Sequence, residues 1–318
     1  MADEFETIAR LLRPLTRGAP EALDLLDDAA VLPSRPGFDL ILTKDALVEG
    51  VHFLSTDPLD VVARKLLRTN LSDLAAKGAE PFGYLLATAW RASDGWAERE
   101  AFAKGLALDG AAFDLRLLGG DTVSTTGPLV VSATLLGWVP TGGMVRRDGA
   151  KAGDLIVVTG TIGDGWLGLQ GATGALPDPD GALTTRYRLP TPRLSLREAL
   201  AHAHASADVS DGLIADVGHV ARTSGLRATV DLETVPLSFA AAVWAEGRAE
   251  RLATLATGGD DYEIVCAVAP ERFDAFAAAA GMPVTVVGRF ETGDGVEARF
   301  QGQTLALDRA GWRHGSQD

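Results

Sequence analysis

Residues 140–154 read Pro-Thr-Gly-Gly-Met-Val-Arg-Arg-Asp-Gly-Ala-Lys-Ala-Gly-Asp. The stretch opens on a proline, holds Gly142, Gly143, Gly149 and Gly153, and scatters charges among them. Neither a helical nor a strand period survives that composition, so the chain changes domain here. Immediately upstream, residues 129–139 are apolar except where Ser132 and Thr134 interrupt, and read as a strand. Further back, 115–118, 84–90 and 39–43 read as strands, and 96–113 and 58–77 as helices, the latter with Pro58 early and Gly78 just past its end. Downstream the alternation restarts. Residues 155–159, 227–231, 263–268 and 284–289 read as strands, 164–170, 193–204, 213–223 and 272–280 as helices, and 174–192 as a Gly/Pro-rich loop. The chain reads as mixed α/β (α+β) with two domains, 1–140 and 150–318.

Composition narrows the function. The 318 residues carry 43 Asp+Glu against 29 Lys+Arg, a net charge of −14, and 36 glycines. A strongly acidic chain argues against nucleic acid or an anionic membrane surface as partner. The acidic, amphipathic start, with Phe5, Ile8, Leu11 and Leu12 at helical spacing, lacks the features of a signal peptide. Cys266 is the only cysteine and lies in the apolar run Ile264-Val265-Cys266-Ala267-Val268, so it reads as core and the cytoplasm is the expected compartment.

One motif reads as a decoy. Gly163-Asp164-Gly165-Trp166-Leu167-Gly168 follows a strand and matches the dinucleotide fingerprint G-x-G-x-x-G. The fingerprint also requires an acidic residue about 20 positions on, at the end of the next strand. The nearest, Asp178 and Asp180, sit in a proline loop, and Trp166 puts bulk where a phosphate would approach. These glycines read as close packing at a helix start.

The aspartates carry the chemistry. They recur beside Gly, Ser, Thr or Asn: Asp27-Asp28, Thr43-Lys44-Asp45, Asn70-Leu71-Ser72-Asp73, Gly119-Gly120-Asp121, Asp208-Val209-Ser210-Asp211-Gly212 and Gly258-Gly259-Asp260-Asp261. Any one alone is an ordinary cap or turn. Asp73 is harder to dismiss, because it lies inside an otherwise apolar helix, where a carboxylate needs a partner. Jointly, carboxylates at strand ends and glycine turns suit hard cations shared with substrate phosphates. That combination fits phosphoryl transfer, where positioning and charge neutralisation supply most of the catalysis.

These motifs resemble the thiamine-monophosphate kinase family, within the aminoimidazole-ribonucleotide-synthetase-like (PurM-like) superfamily. The matching pieces run in family order from Asp27-Asp28-Ala29 through Asp45 to Phe53, Asn70 to Ala76, Gly119 to Thr122, Arg147, Val158 to Thr161 and Asp208 to Leu213, to Gly258 to Glu263, with Gly311-Trp312 beyond. The resemblance implies transfer of a phosphoryl group from ATP to thiamine phosphate, giving thiamine diphosphate, by a homodimer of two-domain subunits. In these the N-terminal sheet-and-helix domain binds metal and nucleotide and dimerises, and the C-terminal α/β domain completes the nucleotide and substrate site. It further implies Mg²⁺ held by Asp28, Thr43, Asp45, Asp73, Asp121, Asp208 and Asp211, nucleotide faced by Gly120, Asp121, Arg147 and Ser210, and thiamine phosphate contacted by His52, Asp260 and Trp312. The acceptor, a phosphate monoester with a second pKa near ~6, is itself the nucleophile, so no general base is assigned.

Three departures from the family pattern stand out. Asp24-Leu25-Leu26 replaces the usual Gly-Ile-Gly before the paired aspartates. Lys44 stands where Thr is usual, and two readings are open for its ammonium: among the carboxylates or phosphates in place of part of one cation's charge, or out in solvent. Asp260 is shorter than the usual Glu, which suggests a substrate contact through water. The competing readings are another ATP-dependent member of the superfamily and a nucleotide- or metal-binding module without catalysis. The cysteine placement does not match the selenium-handling or hydrogenase-maturation relatives.

Overall fold

The computed structural model describes residues 4–312. After a short helix, α1 (Glu4–Thr7), and irregular helical turns, the first unit is built from β1 (Phe38–Val48), α2 (Leu59–Ala76), β2 (Glu80–Arg91), α3 (Trp96–Ala112), β3 (Arg116–Thr125) and β4 (Val130–Pro140). One compact unit runs to Leu74 and resumes over Ala79–Gly142; the other takes Ala75–Gly78 and the described chain from Gly143 onward.

The four strands of the first unit lie in the order β1-β4-β2-β3, with β2 and β3 parallel and the other pairs antiparallel. Paired residues on neighbouring strands share a face. Asp45, Ala133, Leu86 and Gly120 therefore form one row, and Ala46, Ser132, Ala87 and Asp121 form the next, on the opposite face. The first face is covered by α2, whose Leu66, Leu67, Leu71 and Leu74 are fully buried. The helix α3 lies close to α2: a Cβ on Gly105 would sit 2.0 Å from the Asp60 carbonyl oxygen, and Arg64 and Arg68 both pair with buried Asp109. The second face leaves Leu42, Leu85 and Val123 exposed.

The second unit contains β5 (Leu155–Thr159), α4 (Asp164–Ala172), α5 (Ala182–Arg188), β6 (Ala203–Val209), α6 (Leu213–Ser224), β7 (Arg227–Asp231), α7 (Phe239–Ala245), α8 (Ala249–Ala256), β8 (Glu263–Val268), α9 (Phe273–Ala279), β9 (Val284–Glu291), β10 (Gly295–Phe300) and β11 (Gln303–Thr304). Its seven strands run β11-β10-β7-β9-β5-β8-β6. Every residue of β8 is buried, because successive side chains enter two different cores. Val265 and Ala267 pack with α6 residues such as Val217, whereas Ile264, Cys266 and Val268 pack with Phe276 of α9. Burial pushes the Cys266 thiol up to about 12, so it is core, as the apolar run implies. Among the described residues, no helix is long and apolar enough to cross a membrane.

Several sequence expectations need correction. The strand expected at 39–43 runs on to Val48, because β4 pairs with it along its whole length, so Thr43, Lys44 and Asp45 lie within the strand and not at its end. Gly119-Gly120-Asp121 is neither a turn nor a post-strand loop but part of β3. Residues 193–204 are not one helix; short 3₁₀ turns there give way to β6. The loop expected at 174–192 contains α5, and the structure adds α7, α8, β10 and β11, where the sequence reading places no element.

Candidate active site

The candidate residues of the first unit fall into two groups. The first lies on the helix-covered face of the sheet. Thr43 donates its hydroxyl to Asp73, and the Asp45 amide donates to Asn70 Oδ1 at 3.1 Å. Asp73 thus finds, on β1, the partner its place in a buried helix demands. Burial, and then the like charge of Asp73, push Asp45 up to about 6. Two half-buried carboxylates beside a hydroxyl form a hard-oxygen donor set. A divalent cation fits such a set, because it would relieve the repulsion that now favours a proton.

The second group lies elsewhere in the same unit. Asp27, Asp28, Gly120 and Asp121 line a pocket of about 520 Å³, with Leu25 and Leu117 among its apolar walls. The register puts Asp121 on the opposite sheet face from Asp45, so these candidates are not one cluster within the unit. Gly120 is required by packing, since a Cβ there would sit 1.9 Å from the Leu86 carbonyl oxygen. Left-handed backbone without glycine overlaps the segment replacing Gly-Ile-Gly: Leu23, Asp24 and Leu25 have φ of 48°, 56° and 55°, and Leu26 returns to −106°. Leu25 is held against the cluster of Ala19, Ala22, Leu118 and Leu136, and the Asp24 carbonyl accepts from Arg13 Nε at 2.9 Å.

Lys44 does not join Asp45 and Asp73. The pleat turns it to the other face, where it donates to Ser132 Oγ at 2.7 Å, and Ser132 donates on to the Asp45 carbonyl at 2.8 Å. His52 sits in a turn just beyond β1 and accepts the Val48 N–H at Nδ1, 3.0 Å. That bond assigns the neutral tautomer whose Nε2 carries the hydrogen.

In the second unit, Asp208 ends β6 and is buried, with Arg147 4.0 Å away. Ser210, Asp211 and Gly212 lead into α6, and all three N–H groups donate to Asp216 Oδ2 at 3.0, 3.1 and 3.2 Å. Burial, and then the Asp211 charge, push Asp216 up to about 7. Among the described residues, Asp211, Asp216 and His219 are the one trio of acidic or histidine side chains whose ligand atoms all lie within 4.8 Å of one another. Asp260 and Tyr262 hold left-handed backbone at φ of 61° and 52°, and the Tyr262 hydroxyl donates to Asp260 Oδ1 at 3.1 Å. Trp312 is half exposed.

The decoy motif resolves in the same way. Asp261 is fully buried and accepts from the Gly163 and Gly165 N–H groups, filling the start of α4 with the chain's own carboxylate. A Cβ on Gly165 would sit 2.2 Å from the Asp260 carbonyl oxygen, and one on Gly168 2.1 Å from that of Leu183. The backbone N–H groups leading into α4 and α6 are thus taken by Asp261 and Asp216, side chains of the protein. Sequence reading missed Asp216 and Asp261 as the occupants. It also missed buried Glu263, which accepts from Thr159, Arg186 and Arg193 at the root of the Asp260 loop.

Known proteins resemble the chain over most of its length. Residues 26–139 match the family described as AIR synthase related protein, N-terminal domain, and 151–301 its C-terminal domain. The thiamine-monophosphate kinase of Caulobacter vibrioides is 61% identical over 98% of this chain and 91% of its own. The crystal structure of thiamine-monophosphate kinase from Stenotrophomonas maltophilia is 38% identical, with a TM-score of 0.82 over 92% of this chain and 95% of its own. AaThiL complexed with AMPPCP and TMP is 30% identical, with a TM-score of 0.78 over 89% of each chain.

Proposed function

The chain belongs to the AIR synthase related family and, within it, to the thiamine-monophosphate kinases, and on that premise we propose that it transfers the terminal phosphoryl group of ATP to thiamine phosphate, forming thiamine diphosphate and ADP. The observation that carries the reading is the 61% identity to the Caulobacter kinase, which runs over 98% of the chain.

The acceptor phosphate is largely dianionic near neutral pH, so no residue has to remove a proton from it. The difficulty is bringing that dianion up to the ATP tail. In the first unit, Thr43, Asp45 and Asp73 would hold Mg²⁺, as would Asp28 and Asp121 beside Gly120; in the second, Asp208 and Asp211 would do so. When bound, Mg²⁺ supplies charge neutralisation and holds phosphate oxygens in line. Arg147 and Ser210 meet the nucleotide phosphates through side-chain donors, which is the route left open where Asp216 takes the backbone N–H groups. His52 offers Nε2–H to the acceptor phosphate without carrying a charge that would have to be lost. Asp260 and Trp312 contact the thiamine moiety.

On the same reading the chain works as a homodimer in the cytoplasm, and the open face of the first unit's sheet, with exposed Leu42, Leu85 and Val123, is the dimer surface. The test is direct. Purified protein with Mg²⁺ and ATP should convert thiamine phosphate, and not free thiamine, to the diphosphate, followed by chromatography of the thiamine species. ATP binding without turnover of either compound would overturn the reading.

A further inference from the structure

The loop 208–212 is bonded along both of its edges. Its N–H groups at Ser210, Asp211 and Gly212 converge on one oxygen of Asp216, which is 1% exposed. Its carbonyls face the other way: Val209 accepts from the Tyr262 N–H at 2.8 Å, Ser210 from the Asp260 N–H at 2.9 Å, and Asp211 from the Trp312 N–H at 2.9 Å. Gly212 makes the turn at φ 126°, where a side chain would press on the Thr257 backbone at 2.9 Å. The backbone that presents the nucleotide and metal candidates Asp208, Ser210 and Asp211 is thus the backbone that anchors the substrate candidates Asp260 and Trp312.

We propose that Asp216 is a positioning residue for both substrates of the kinase: by gathering three N–H groups it fixes the loop whose side chains meet Mg²⁺–ATP and whose carbonyls seat Asp260 and Trp312. The inference rests on the functional reading above and extends it to a residue that touches neither substrate. A carboxylate in this position is worth more than a helix cap. Removing it leaves three N–H groups at the loop without their acceptor and loosens the same backbone whose carbonyls hold the Tyr262, Asp260 and Trp312 N–H groups.

Steady-state kinetics on the full-length protein test it, with Asp216→Ala, Asp216→Asn and, as a control, Val220→Ala. Val220 is buried in α6 and lies outside the loop contacts, so its truncation weakens the same helix without releasing the loop. Asp216→Ala should raise KM for ATP and for thiamine phosphate together, each by about tenfold or more, and raise the Mg²⁺ concentration for half-maximal rate. Asp216→Asn, which keeps an acceptor oxygen of the same shape, should recover most of both. Val220→Ala should lower the melting temperature while leaving both KM values within about twofold. Equal KM changes in Val220→Ala and Asp216→Ala, or a change for one substrate only, would overturn the proposal. So would an Asp216→Ala enzyme with wild-type parameters. Absence of turnover in the wild type would instead defeat the functional reading, and the proposal with it.

Discussion

At the scale of single residues, the tautomer of His52 decides what it can do. Its Nδ1 already accepts the Val48 N–H, so a proton arriving there would displace a backbone bond, and the ring serves best as a neutral Nε2–H donor. On the proposed reading it contributes one hydrogen bond to a charged oxygen, worth about 1.5–3 kcal/mol. His52→Ala should therefore raise KM for thiamine phosphate by about tenfold or more and leave KM for ATP within about twofold. An unchanged thiamine phosphate KM would remove His52 from the substrate contacts. Lys44 teaches the converse lesson. Its neighbours in sequence are Thr43 and Asp45, but the pleat sends it to Ser132 on the far face, so adjacency in the motif did not mean adjacency in space.

At the scale of elements, the start of α4 shows how the fold uses a buried carboxylate. Asp261 caps it through Gly163 and Gly165, yet burial pushes the acid up from its ordinary 3.8 to about 7. The native state then binds the proton more tightly than the unfolded chain does. This contribution to stability is complete below about pH 3.8 and is lost as pH rises through about 7. Every tenfold gain in proton affinity on folding corresponds to about 1.4 kcal/mol. Asp261→Asn mimics the protonated acid. Thermal midpoints taken from about pH 5 to 8 should fall more steeply in the wild type than in Asp261→Asn, and parallel slopes would refute the assignment. Much of this architecture was legible in the sequence. The helix α2 announced itself through Pro58 and Gly78, and β5 and β8 through apolar runs. Gly119-Gly120 looked like a turn because glycine usually marks one, and only the close Leu86 carbonyl shows why a strand needs it. The helix α7, Phe-Ala-Ala-Ala-Val-Trp-Ala, is apolar nearly all round, which removes the contrast between faces that periodicity depends on. For the site, residue types and spacing pointed to cations and phosphate. Which carboxylates fill the backbone cradles is a tertiary fact that no local pattern carries.

At the scale of the whole molecule, the net charge of −14 and the open sheet face bear on assembly in opposite ways. Like charge keeps copies apart, so any association must be driven by apolar burial. The charges do not blanket the surface evenly: Leu42, Leu85 and Val123, at 60%, 41% and 49% exposure, share one face of the four-stranded sheet. Lys44 and Asp121 lie on that same face, so a second copy packed there would meet polar groups at fixed positions as well as an apolar surface. A face of this kind, left by strands whose other side is sealed by α2, is what a self-complementary interface requires. Light scattering should give twice the 33.2 kDa of one chain. Leu85→Asp and, independently, Val123→Asp place an unpaired charge in that surface and should shift the mass to that of a single chain. Neither side chain belongs to the buried core of the single chain, so both variants should stay folded, and the drop in thermal midpoint reports the stabilisation lost with the interface. A wild-type mass of one chain, or dimers that survive both substitutions, would move the interface elsewhere on the molecule.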